Sequence, residues 1–278
     1  MKTFGSIVLG FLMTIFIFII SLFACVRIFL SSQYMTRFVE VMFEEEGGVV
    51  ALFSEEFPEL AKYLDEDEVN KEFGKFFSDF LKYTLGVPNQ KLPTLSGMKK
   101  LLDKAIAEYI KDTGKEFDYD TYNEQYERVE ASIETELIPE TEKAPEEVSM
   151  IFKIIYSDTI MLILVLLIAI SLLIDYLIRK DLLIVLRHTG IVSLINAFSF
   201  GSLGLFILSV ETDDVGPANK IIDLIGQVPC IISVLCIVLG IVFIVLSIVL
   251  KKKRNIINNG LGYYAEAPST GPVTVSYN

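Results

Sequence analysis

Hydrophobic positions follow two different rules along this chain. In four stretches they are continuous, and in the roughly 120 residues between the first and second stretch they recur at helical spacing. Thr3 to Val26 holds no charge, Thr159 to Ile178 holds only Asp175, and Leu224 to Leu250 is uncharged throughout. His188 to Val210 contains no acid, Lys or Arg, and its apolar run extends back to Leu182, which brings in Arg187. A helix needs about 20 apolar residues to cross a hydrocarbon core of about 30 Å. A membrane strand would alternate polar and apolar positions, which these runs do not do. The pattern predicts an all-α membrane protein of four transmembrane helices, with a helical extracytoplasmic domain inserted between helices 1 and 2. The expected divisions are spans at 1–30, 151–180, 181–210 and 221–250, the domain at 31–150, a short outer loop at 211–220 and a disordered tail at 251–278.

Within 31–150, the apolar positions Val69, Phe73, Phe76, Phe77, Phe80 and Leu81 fall on one face of a helix. Lys71, Glu72, Lys75 and Asp79 lie between them, so that face is aromatic and the other charged. A second helix is predicted through Met98, Leu102, Ile106 and Tyr109, opened by Ser96. A third runs through Tyr122, Tyr126, Val129, Ile133 and Leu137, with Thr121 and Glu124 spaced as a capping box. A fourth is expected over Ser54 to Leu64. Gly47-Gly48, Gly86-Val87-Pro88 and Lys91-Leu92-Pro93 separate the helices, and Pro139 and Pro145 interrupt the chain before the second span. These amphipathic helices can bury a core among themselves, and the Phe stripe is its expected centre.

Charge adds orientation. Residues 31–150 carry 28 Asp/Glu against 13 Lys/Arg, whereas the rest carries 8 against 11. Lys2, the pair Arg179 and Lys180, and the run Lys251 to Arg254 all fall on one side of a four-span chain, which the positive-inside rule assigns to the cytoplasm. The acidic domain and the loop with Glu211, Asp213 and Asp214 fall on the other. The expected setting is a bacterial plasma membrane, multi-pass, with both termini cytoplasmic. A nucleic-acid binder would carry a basic stripe, so nucleic acid is excluded as a partner. Cys25, Cys230 and Cys236 all lie in apolar runs, so the acidic domain holds no disulfide. Leu22-Phe23-Ala24-Cys25 is similar to a lipoprotein cleavage box with a bulky Phe at a usually small position. The length of the apolar run favours an uncleaved anchor.

Candidate chemistry is sparse. The outer domain has neither His nor Cys, and no phosphate loop or paired metal ligands appear, so no catalytic, cofactor or metal residues are assigned. Asp118 to Asn123 fails as a calcium loop because Tyr122 stands at a ligand position and no Gly follows. The acidic runs Glu44-Glu45-Glu46 and Asp65-Glu66-Asp67-Glu68 read as helix starts or solvated faces. Inside the membrane, Asp175 and Arg187 sit at similar depth on either side of a tight turn, and they are expected to form a structural ion pair or each to snorkel to the nearby interface. A proton relay through His188 lacks a second mid-membrane acid. Ser193, Ala197, Gly201 and Gly204 form a small-residue face suited to close helix packing, with Asn196 beside it. Span four carries Gly226, Cys230, Cys236 and Gly240, and Pro229 is expected to kink it.

These features point to a non-enzymatic membrane protein whose outer domain binds another surface or membrane component, in the manner of a scaffold or sensor. The expected partners are membrane lipid and a protein partner or a second copy of the chain. The alternative is an accessory or permease-like subunit of a transport complex. In the order of its spans and loops alone, the chain resembles the four-span permeases of bacterial ABC-type exporters. Such permeases place a coupling helix between spans two and three, where this chain has only Arg179 to Asp181.

Overall fold

A computed structural model describes residues 2–44, 47–132, 144–210 and 217–265. All of its regular structure is helical among the described residues, and four helices are long and apolar enough to cross a membrane. The first is α1, Lys2–Phe29. It runs unbroken through Cys25, whose side chain joins a cluster with Tyr34, Met35, Leu224 and Val228. The others are α8 (Asp158–Arg179), α9 (Leu182–Leu208) and α10 (Pro217–Ala265). Only Lys180 and Asp181 separate α8 from α9, with Lys180 in the left-handed region and Asp181 capping α9 through the Leu183 amide.

Helix α10 departs from expectation. It is 49 residues long, and it passes Pro229 and continues beyond the basic run to Ala265. The tail expected to be irregular from 251 therefore begins as helix, and residues 266–278 lie outside the described residues, as do 211–216 of the short loop. The part of α10 that could cross a membrane, Pro217–Asn255, holds 39 residues around the uncharged run Leu224–Leu250. At 1.5 Å per residue it reaches about 58 Å, well beyond a hydrocarbon core of about 30 Å.

The bundle between the spans contains α2 (Ser32–Phe43), α3 (Val49–Glu56), a single 3₁₀ turn at Ala61–Tyr63, α4 (Glu66–Thr84), α5 (Ser96–Thr113) and α6 (Tyr119–Ser132). The helix expected over Ser54 to Leu64 is displaced toward the N-terminus. Pro58 explains the shift, because the residue before a proline is pushed out of the helical region and Phe57 sits at φ −130°, ψ 61°. Helix α6 opens earlier than the Thr121–Glu124 box implies. Asp118 is the capping group: its carboxylate accepts from the Thr121 amide at 3.1 Å and hydroxyl at 2.6 Å. Ile133 and Leu137 lie outside the described residues. The run Asp65 to Glu68 is a helix start, with Asp65 capping the Glu68 amide at 3.0 Å and three acids in the first turn of α4, where they meet the positive end of the helix dipole.

The core of the bundle holds Val39, Val49, Phe57, Leu60, Val69, Phe76, Met98, Leu102, Ile106 and Tyr122. Helices α2 and α4 cross closely at Gly74, where a Cβ would meet the Thr36 backbone at 2.5 Å. Gly114 ends α5 at φ 64°, a left-handed cap that glycine adopts without strain.

The bundle is fastened to the membrane helices at several points. Tyr34 donates its hydroxyl to the Leu224 carbonyl of α10, and burial pushes the phenol up to about 12 against the opposing pull of Arg37. Ser78 of α4 donates to the Leu30 carbonyl at 2.8 Å. Lys220 pairs with Glu44 at 2.5 Å. A short helix, α7 (Glu146–Ile155), leads into α8 through the cap Ser157. Arg27 at the end of α1 donates to the Ile155 carbonyl at 3.0 Å and lies over the Tyr156 ring.

Candidate functional site

Two polar arrangements stand out inside the apolar helices: a charged cluster near one end, and a seam of small residues between α9 and α10. The cluster is built around Asp175, whose side chain is 1% exposed. Such a carboxylate in lipid requires partners, because an unpaired charge there costs several kcal/mol. Asp175 accepts from Arg179 Nε at 2.8 Å, one helical turn along α8, and from Ser6 Oγ of α1 at 3.1 Å. His188 of α9 places Nδ1 at 3.1 Å from the second carboxylate oxygen. Arg179 also donates Nη2 to Ser6 Oγ. Three membrane helices thus converge on one acid.

The expected pair between Asp175 and Arg187 is replaced. Arg179 and His188 occupy the carboxylate, and Arg187 is exposed on α9. The reason is geometric: Asp175 and Arg179 lie i,i+4 on one helix, a spacing that faces the two groups together. His188 rather than Arg187 points inward toward α1. Its ring lies against Gly10, where a Cβ would fall 2.6 Å from Nε2.

Ser6, His188 and Asp175 are the residue types of a nucleophile relay, but they are not wired as one. A relay needs the serine hydroxyl on the imidazole nitrogen remote from the acid. Here Ser6 donates to the carboxylate itself. Arg179 holds one carboxylate oxygen, and His188 Nδ1 faces the other. The arrangement locks α1, α8 and α9 at this end. Nearby, Arg254 of α10 lies 3.4 Å from Asp181, so the N-terminal part of α1, the α8–α9 turn and the basic run of α10 share one end of the helix set.

The small-residue face predicted on span three packs against α10. Ser193 donates to the Cys236 carbonyl at 2.8 Å, and Ser233 donates to the Ala197 carbonyl at 2.7 Å. A Cβ on Gly201 would meet Ser233 Oγ at 2.9 Å, and one on Gly204 would meet Cys230 Sγ at 2.5 Å and the Gly226 carbonyl at 3.0 Å. The full seam is longer than the predicted face. Ser247 donates to the Leu183 carbonyl at 2.8 Å, and Gly190 faces Gly240, with a Cβ 2.8 Å from its carbonyl. The paired levels are 183 with 247, 190 with 240, 197 with 233 and 204 with 226. Each helix advances seven residues per level, the repeat that keeps one stripe facing a partner in a left-handed antiparallel pair. Small residues at 190, 197, 204, 226, 233, 240 and 247 were the signal, hidden when the spacing is read as four.

Asn196 is fully buried beside this seam and donates Nδ2 to the Val192 carbonyl at 3.1 Å. Among the described residues, no group of three or more His, Cys, Asp or Glu is placed to hold a metal ion. No protein-family model matches the chain, and searches among curated proteins and solved structures return nothing similar to it.

Proposed function

We propose that this is a non-enzymatic multi-pass protein of a bacterial plasma membrane whose acidic helical bundle stands outside the cell and engages another surface or membrane component. The observation that carries the reading is the way the bundle is tied into the spans. Tyr34 and Lys220 join it to α10, Ser78 joins it to the end of α1, and Arg27 joins α1 to the entrance of α8. A load on the bundle therefore reaches α1 and α10 directly and the entrance of α8 through α1, as a scaffold or sensor requires. The orientation rests on the basic residues: Arg179, Lys180 and Lys251 to Arg254 gather at the end of the helix set opposite the bundle, and such clusters are retained in the cytoplasm. The permease-like alternative finds no support in the turn between α8 and α9, where two residues leave no room for a coupling helix.

The test is photo-crosslinking in living cells from the exposed bundle position Lys100 and from Lys252 at the opposite end. The reading predicts discrete protein adducts from Lys100 that are absent from Lys252. An adduct with an ATPase from Lys252 would favour the transport alternative, and no discrete adduct from Lys100 would overturn the proposal.

A further inference from the structure

The bundle contains a cavity of about 510 Å³ whose walls come from four separate segments. Its floor is apolar and largely aromatic: Phe57, Leu60, Tyr109 and Tyr122 are buried, and Phe117 forms a half-buried side wall. The rings meet at steep angles rather than in a flat stack. Phe117 lies edge-on to Tyr109 at 5.7 Å and to Tyr122 at 5.9 Å, and Phe57 is tilted against Tyr122 at 5.7 Å. The rings pack edge to face or tilted against one another and form one wall of the pocket. The hydroxyl of Tyr122 is anchored on Asp103 at 3.2 Å, which fixes the orientation of that ring.

The rim is acidic. Glu59, Glu116 and Asp118 stand around the mouth against a single Lys115. Asp118 is held in place by the Thr121 amide and hydroxyl. The Thr121 bonds also keep the Asp118 carboxyl below its ordinary range, so it is charged at neutral pH. Volumes of this size suit a small organic ligand. Aromatic faces carry negative charge density that attracts cations, most strongly those with apolar, weakly hydrated groups around the nitrogen. Carboxylates at the mouth, Asp118 among them held in place, reinforce the same preference and repel anions.

We infer that this cavity binds a small organic cation of the alkylammonium or quaternary ammonium class, its apolar substituents against Phe57, Phe117 and Tyr122 and its charge facing Glu59 and Asp118. The inference rests on the reading of the bundle as the part that engages something outside, and it names the class of small ligand.

The experiment is calorimetric titration of the full chain in phosphatidylglycerol nanodiscs, with empty nanodiscs as the blank. The two probes are choline and 3,3-dimethyl-1-butanol, its neutral isostere with carbon in place of nitrogen. Choline is expected to bind roughly ten-fold more tightly than the isostere. Phe117→Ala and, separately, Asp118→Asn are each expected to weaken choline several-fold. The circular dichroism of Asp118→Asn is expected to match that of the parent chain, so a folding defect in Phe117→Ala does not blunt the test. Equal binding of the two probes, no binding of choline, or choline binding indifferent to both variants would each overturn the inference. None of these outcomes touches the crosslinking result from Lys100, so the wider proposal and this one fail separately.

Discussion

The bundle and the spans are both helical, yet they are held together by side chains of opposite size. Large apolar groups fill the bundle: Phe76, Met98, Leu102 and Ile106 are buried together, and aromatic pairs join Phe57 to Tyr122 of α6 and Tyr109 of α5 to Phe117. The α9–α10 seam is lined instead by Gly190, Ala197, Gly204, Gly226, Ser233 and Gly240. Solvent explains the difference. In water, removing apolar area is the main drive, and big side chains supply the most area. Between helices in lipid that drive is absent, and stability comes from close backbone approach and hydrogen bonds from serine to carbonyl. Many bulky span residues, such as Phe11, Phe198 and Leu205, lie on the outer surface of the helix set, while Phe200 and Met13 are buried inside it.

The contrast predicts opposite responses to side-chain size, and the largest effect falls on the one charge that obeys neither rule. Asp175→Ala strips Arg179 and His188 of their shared acid and is expected to cost about 4 kcal/mol, measured by SDS unfolding in detergent micelles. Leu102→Ala opens a void in the bundle core and is expected to cost about 3 kcal/mol, read by urea unfolding of the aromatic circular dichroism signal. Gly190→Ala does the reverse, forcing a methyl against Ile244 and the Gly240 carbonyl. It is expected to cost about 2 kcal/mol in the SDS assay. A stabilising Gly190→Ala would break the contrast outright. Ser233→Ala removes a single interhelical bond and is expected to cost about 0.6 kcal/mol.

The smallest effect concerns pH and the bundle surface. The Asp112 carboxyl is held below its usual range by the Tyr63 hydroxyl at 2.6 Å and by Lys62 at 3.3 Å. A depressed carboxyl contributes stability above its unfolded value, and that contribution disappears as pH falls through its lower folded value. Asp112→Asn is expected to flatten the acid limb of the bundle's melting temperature against pH below about pH 4. An unchanged limb would remove this contact from the account.

Much of the architecture was legible in the chain because the two patterns differ so plainly. Uninterrupted apolar runs located the spans to within a few residues, except for α10. Its helix continues through Lys251 to Arg254, since charged residues end a membrane span without ending a helix. The Phe periodicity of α4 and the Met98 to Tyr109 pattern of α5 gave their helices directly. Helix α2 is signalled by Ser31 before Tyr34, Met35, Phe38 and Val39, a pattern easily lost beside the stronger run of α1. The cluster at Asp175 was half visible. Its location was readable from the isolated charge, but its partners depend on how α1 and α9 rotate around α8. The contact with Ser6 spans 169 positions, and no local spacing encodes it. The cavity in the bundle was not legible at all, because it is assembled from the turn after α3, from α5 and α6, and from the loop before α6.

The central claim is that lipid surrounds the four apolar helices, with the acidic bundle on the side away from the cell interior. It is tested most directly by replacing Cys25, Cys230 and Cys236 with Ala and introducing Lys99→Cys or Lys252→Cys. The account predicts that a membrane-impermeant maleimide labels the Lys99→Cys chain on intact cells and the Lys252→Cys chain only after lysis. The opposite pattern, or labelling of both positions on intact cells, would contradict it.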